Sequence, residues 1–311
     1  TNNINVLFVR VDFDDMPGEP INKTDLENTL NSAGARILEN SYNQASVNYT
    51  VSDTVYRVDY QNAEYYATTG DMYGLQLDVT TLLRHEGVHG IGNYDVIGIY
   101  FADMSGIAGS VVDFAGKGSV GAVSSIFYKT GIWINGVNNT QVFAHELGHN
   151  YGARHANYWD ETKSLSGTYS GNSLEYGDIF DVMGKGSGLE DHMNPYTKNR
   201  LEWIPDSKVT DVSSDGTYRV YRFDAASAIG SPSLAMKVTA GEGVNYWVGL
   251  REGITNAQYN LQGAAYVVAE GLHGSDESDL VDMTPGSGAT ETLDRQDSAL
   301  EVGETFYDAE R

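Results

Sequence analysis

The chain has 311 residues, 41% of them hydrophobic, long enough to bury a sizeable core and to hold two domains. A formal charge of −24 speaks against nucleic acid or an anionic membrane as partner, because phosphate contacts need clustered Lys and Arg, and no apolar run is long enough to span a bilayer. There is no cysteine, so disulfides and thiolate ligands are excluded, and any metal must be held by nitrogen and oxygen.

In chain order, Ile4–Phe13 is an apolar, β-branched run of strand length, expected to be buried on both faces. Asp12, Asp14 and Asp15 close it into a Pro/Gly turn; they offer a candidate calcium site, although a solvated loop is the preferred reading. Thr24 and Asp25 open a helical pattern through Leu26, Leu30, Ile37 and Leu38. Val47–Tyr60 alternates as a second strand, and residues 63–86 are helical in part, with Leu75, Leu77, Leu82 and Leu83 facing the core. Tyr94–Phe101 predicts a third strand, and Val120–Tyr128 and Gly131–Asn135 two more. From about Asp206 the texture changes. Tyr218–Phe223, Leu234–Val238, Tyr246–Arg251, Ala264–Ala269 and Glu301–Tyr307 predict short strands between Gly/Asp/Ser turns, as in a small antiparallel sandwich or barrel. Asp276, Glu277, Asp279 and Asp282 form a second acidic cluster, again a candidate calcium site but without EF-hand spacing.

Residues 145–155 read HELGHNYGARH. On a helix, His145 and His149 stand one turn apart on one face, so two neutral imidazoles can grip one zinc ion while Glu146 holds a water beside it. Gly152 can take the left-handed conformation that ends a helix, and the turn swings His155 back as third ligand. Three histidines leave one coordination position open, which suits catalysis. Residues 85–95, HEGVHGIGNYD, carry His85, Glu86, His89 and Gly92 at the same offsets. There, Gly87, Gly90 and Gly92 undermine the helix that would present the histidines, whereas Asn138 and Asn139 supply N-cap candidates ahead of the 145–155 motif. The second stretch is the expected centre. Met183, on the Gly-flanked turn DVMGKG, is placed to form an apolar floor beneath the ligands.

HELGHNYGARH followed by DVMG resembles the metzincin clan of zinc endopeptidases, and within it the gametolysin family and, more distantly, the immune inhibitor A peptidases. The opening VLFVRVDF strand, the ENSYNQASVNYTV passage, GIWING and KNRLEW extend the likeness over most of the chain. The resemblance implies an α+β, zincin-like catalytic domain over 1–205, with a twisted mixed sheet, helices and an active-site cleft. A small antiparallel β domain over 206–311 would follow it. Substrate would lie antiparallel to an edge strand near Val120–Tyr128. The S1′ pocket would be walled by residues 184–196, with Gly184, Lys185, His192 and Tyr196 as pocket candidates. Some metzincins carry a Tyr two residues past the Met; here that position is Lys185, so zinc itself or a donor such as His192 is left to stabilise the oxyanion.

The expected activity is hydrolysis of protein or peptide substrates by a zinc-activated water, with Glu146 as general base. Secretion from a bacterium is expected, with Thr1 in place of Met indicating a mature or trimmed form and with latency dependent on a removed propeptide. Two other classes stay open: a zinc-clipped binding or adhesion module acting through its β domain, and a zinc hydrolase acting on non-peptide bonds. Glu146 weighs against the first, since a structural clip needs no base.

Overall fold

Residues 4–13 alternate side chains across a pleat, and because both sets are apolar the strand needs cover on both faces. In the computed structural model, which describes residues 2–121, 130–160, 172–186, 191–254, 258–272, 276–288 and 290–308, that cover is present. The chain divides into two compact units, Thr1–Leu38 with Ala45–Gly152, and Glu39–Gln44 with Ala153–Arg311.

The first unit is built on a five-stranded sheet. Its strands are β1 (Asn2–Phe13), β2 (Ala45–Val58), β3 (Val96–Phe101), β4 (Gly116–Gly118) and β5 (Thr130–Asn135), in the order β2-β1-β3-β5-β4. All neighbours are parallel except β4, which runs antiparallel to β5. The helices are α1 (Lys23–Asn40), α2 (Ala63–Thr69), α3 (Met72–His85) and α4 (Thr140–Tyr151). On one face Leu7, Val9, Val11 and Phe13 pack with Tyr66 of α2 and Leu75, Val79 and Leu83 of α3. On the other, Phe8 of β1 and Tyr100 of β3 meet Phe143 of α4, with ring centroids 5.6 and 6.4 Å apart. Fully burying one such side chain stabilises by roughly 1.5–3 kcal/mol, so Phe143 anchors α4 on the sheet.

The acids after β1 have structural employment. Both oxygens of Asp12 accept from Arg57 at 2.7 Å, Asp14 accepts from the same guanidinium at 3.1 Å, and Asp15 accepts from the first N–H groups of α2. The Arg57 guanidinium holds the Asp12 carboxyl below its usual range. No calcium candidate is left there.

The second unit carries one seven-stranded mixed sheet. Its strands are β6 (Ala156–Asp160), β7 (Asn172–Leu174), β8 (Val209–Val212), β9 (Ala235–Gly241), β10 (Val244–Leu250), β11 (Ala265–Glu270) and β12 (Ser278–Val281), ordered β7-β6-β12-β11-β10-β9-β8. The β12/β6 and β8/β9 pairs are parallel. This corrects the expected small antiparallel domain beginning at residue 206. Strand β12 would otherwise be an open edge, and the fully buried β6 closes it from upstream, so the units divide at Gly152/Ala153. Two expected strands do not form. Of Tyr218–Phe223 only Arg222 bridges, to Leu250, and the ladder near Glu301 stops at Leu300, bridged to Ala265. One short helix, α5 (Pro195–Arg200), is capped by Asn194, whose side chain accepts from Thr197 N–H. The acids of 276–282 disperse: Asp276 meets Arg200, Glu277 accepts from Asn157, Asp279 from Ser173, and Asp282 from Tyr158. A calcium site is not supported there either. Among the described residues no helix is long and apolar enough to cross a membrane.

Candidate metal centre and active site

Helix α4 starts where the sequence predicts. The Asn139 side chain accepts from Gln141 N–H at 2.8 Å, while Asn138 turns to Thr29 of α1. It ends at Gly152, whose backbone is left-handed (φ 108°) and whose N–H bonds the carbonyls of Gly148 and His149. Between these caps His145 (9% exposed), Glu146 (5%) and His149 (6%) are buried. The rings of His145 and His149 lie 4.7 Å apart, nearly perpendicular. Three residues past the cap, His155 brings its ring back, and one nitrogen from each of the three histidines falls within 4.8 Å of the others. Among the described residues no other group of His, Asp or Glu gathers in this way. Three neutral imidazoles with no fourth protein donor in the set match what zinc takes in an open catalytic site, so the residues fit the ion.

The carboxyl of Glu146 lies in close quarters. A Cβ on Gly116 would stand 2.7 Å from Glu146 Oε1 and 2.6 Å from Val142, and one on Gly118 would stand 2.8 Å from the Glu146 carbonyl oxygen. Only glycine lets β4 run this close to the helix. The same loop ties down the end of α4, with Gly121 N–H donating to the His149 carbonyl at 2.7 Å and Asn150 Nδ2 to the Ser119 carbonyl at 3.0 Å. Burial pushes the Glu146 carboxyl up to about 8; the charge of a metal ion beside it would work the other way.

Within the second unit, Met183 is fully buried on its turn. Its carbonyl accepts from Ala156 N–H at 3.0 Å, which fixes the turn to the residue after His155. Asp181 braces the turn from inside: its carboxylate takes the N–H groups of Met183 (2.7 Å) and Asn194 (2.6 Å) and the Asn194 side-chain amide (2.8 Å). Asp178 accepts from Phe180 N–H and from the Tyr266 hydroxyl, and the fully buried Arg251 donates to the Phe180 carbonyl. Burial holds both carboxyls above the usual range.

The pocket candidates are placed differently from expectation. Gly184 is sealed, since a Cβ there would stand 2.1 Å from the Asp178 carbonyl oxygen. His192 is interior, its Nδ1 2.9 Å from Nζ of the buried Lys198. Tyr196 packs on Trp247, ring centroids 5.8 Å apart. Of the four, only Lys185 is exposed. Residues 187–190 of that wall, and all but the first two residues of the expected Val120–Tyr128 strand, lie outside the described residues; of the two edge strands of the five-stranded sheet, β2 and β4, it is β4 that borders Glu146. Sequence reading missed Gly116, Gly118, Asp178, Asp181 and Glu175, the last of which lies 2.8 Å from His155 Nδ1. A Gly-Lys-Gly triplet reads as a breaker, and nothing local marks an aspartate as an interior brace.

A buried glutamate sits beside a helical histidine pair, with a third imidazole past a glycine bend, and the three histidines could hold one metal ion. The sequence model of metallopeptidase family M12 matches residues 14–202, well over half of the chain, and the chain belongs to that family. The match carries the metallopeptidase reading of the motifs; the finer likeness to gametolysin and immune inhibitor A stays an expectation. M12 metallopeptidases use zinc, and the three histidines are the residues that could hold it. Among solved structures, metalloproteinase-II from Bacteroides fragilis is similar at 13% identity with a TM-score of 0.36, over 64% of this chain and 52% of that one, so the match spans about half of that protein. No curated protein sequence matches.

Proposed function

We propose that the protein is a secreted zinc endopeptidase of metzincin type that cleaves protein or peptide chains, with Glu146 as general base. The observation that carries this reading is the buried Glu146 one residue from His145, confined by the bare backbone of β4. Zinc held by His145, His149 and His155 would supply Lewis acidity, acidifying a water and polarising a carbonyl. Glu146 accepts the proton of the attacking water and delivers it to the leaving amine as the C–N bond breaks. Asn135 and Gly131 of β5 bond Ala115 and Ser119, so by the period of two Gly116 and Gly118 direct their backbone groups away from β5. An extended substrate pairing with them runs past Glu146. Met183 and its brace hold the chain just after His155. Export suits a cysteine-free chain that needs no oxidative folding, and a propeptide removed on maturation would supply latency.

The test is incubation with casein and gelatin, with and without a zinc chelator. Cleavage abolished by the chelator and restored by added zinc is the expected result. Intact substrates alongside a stoichiometric zinc content would instead favour a binding module or a non-peptide hydrolase.

A further inference from the structure

The pairing of β6 with β7 has a consequence beyond the sheet. Tyr158 stands opposite Leu174, so the residues after Leu174 return alongside those before Tyr158. The turn is tight: Gly177 N–H bonds the Leu174 carbonyl at 2.9 Å, and a Cβ on Gly177 would stand 2.4 Å from Tyr158. It delivers Glu175 and Tyr176 to His155. Glu175 Oε1 lies 2.8 Å from His155 Nδ1, and the Tyr176 ring lies 4.0 Å from the imidazole, centroid to centroid. Tyr176 does this in a left-handed backbone conformation (φ 60°), which is uncommon without glycine. The conformation is tied down by its N–H, which donates to Asn157 Oδ1 at 3.1 Å, and the Asn157 amide in turn donates to Glu277 at 2.8 Å.

A carboxylate only accepts hydrogen bonds, so the imidazole nitrogen facing it carries the proton, and in the neutral ring the lone pair is then on the other nitrogen. We propose that Glu175 is a positioning residue for the metal: it fixes His155 with Nδ1–H turned to its carboxylate and Nε2 presented to the ion, while Tyr176 sets the plane of the ring. The two histidines on α4 are aimed by a helix capped at both ends; His155 lies beyond that helix and gets its aim from the β7 turn. Partners of this kind govern metal affinity, and losing one typically costs about 10–100-fold.

The inference rests on the zinc reading of the three histidines, so the experiment separates the two. Zinc affinity of the full chain is measured by competition with a chromophoric chelator for wild type, Glu175→Ala, Glu175→Gln, Tyr176→Ala and His155→Ala. In parallel, the melting temperature of each zinc-free form is recorded, together with the His155 ring nitrogens by long-range 1H–15N correlation. Glu175→Ala should bind zinc about 10–100-fold more weakly, with Glu175→Gln between it and wild type because an amide oxygen still accepts Nδ1–H. Its zinc-free melting temperature should be unchanged, since the Glu175 side chain is 64% exposed, and the His155 proton should move to Nε2. Wild-type affinity in Glu175→Ala, with zinc lost in His155→Ala, overturns the role of Glu175 and leaves the zinc centre intact. An equal fall in zinc-free melting temperature for both Glu175 variants also overturns it, in favour of a structural role. Absence of zinc binding by wild type sinks both.

Discussion

Residues 85–92 and 145–152 share the pattern His-Glu-x-x-His-x-x-Gly, yet only the second forms a centre. The difference lies in where the helix is. Helix α3 ends at His85; Glu86 is its C-cap, and Gly87 and Gly90 are left-handed (φ 76° and 80°), so the motif begins where the helix stops. His85, Glu86 and His89 are exposed, and His85 turns to the Tyr60 hydroxyl at 3.3 Å. In the other stretch the helix begins at Thr140, five residues before the first histidine, and runs through the second. Identical letters become ligands only when a capped helix carries both imidazoles on one buried face.

The sharpest way to break this comparison is Glu146→Gln, which keeps shape and removes the base. Turnover on casein should fall by about 10^2–10^4-fold with zinc content unchanged, measured by metal analysis of the same sample. Turnover within a few-fold of wild type would remove Glu146 from the chemistry. The next largest effect is expected at the Met-turn. Asp181→Ala leaves three buried N–H donors without their acceptor. Each orphaned group costs about 1–3 kcal/mol, so the variant should lose about 3 kcal/mol or more in urea unfolding. A shift in midpoint below the noise would mean that the brace is dispensable.

Gly118→Ala probes the close quarters around Glu146. The new methyl meets the Glu146 carbonyl oxygen, which belongs to backbone and cannot swing aside, and lies 3.2 Å from the Cβ of His149. Displacements of about 1 Å near reacting groups can cost as much as 10^2-fold; kcat should fall by about 10-fold with the protein still folded by circular dichroism. An unaffected kcat would show that β4 has slack.

Much of this is legible in the sequence. Asn139, Phe143, Gly152 and the three histidines each carry a local signal, and the structure has a capped helix, a buried ring, a left-handed Gly152 and three imidazole nitrogens within 4.8 Å of one another. Strands β1, β3 and β5 are legible too, because a run buried on both faces has few other fates, and β2 is legible from its alternation. What local reading misses is pairing across distance. The β6/β12 neighbours lie more than a hundred residues apart in sequence, so no local pattern marks 156 to 160 as a strand or the unit boundary just before it. The same holds for Glu175, Asp178 and Asp181: an acid in a Gly- and Ser-rich stretch reads as solvated, and only the tertiary fold shows a carboxylate taking three N–H donors.

The smallest expected effect is the one that bears most directly on the comparison. His85→Ala should leave zinc stoichiometry, casein turnover and melting temperature at wild-type values, because the ring is exposed and its contact with Tyr60 is a surface hydrogen bond. Surface substitutions away from caps and buried partners usually stay within about 0.5 kcal/mol. The paired control is His149→Ala, which removes a buried imidazole on α4 and should abolish zinc binding. If His85→Ala lost zinc instead, residues 85–92 would have to be rebuilt as a helix across two left-handed glycines, and helix continuity would no longer explain which motif holds the metal.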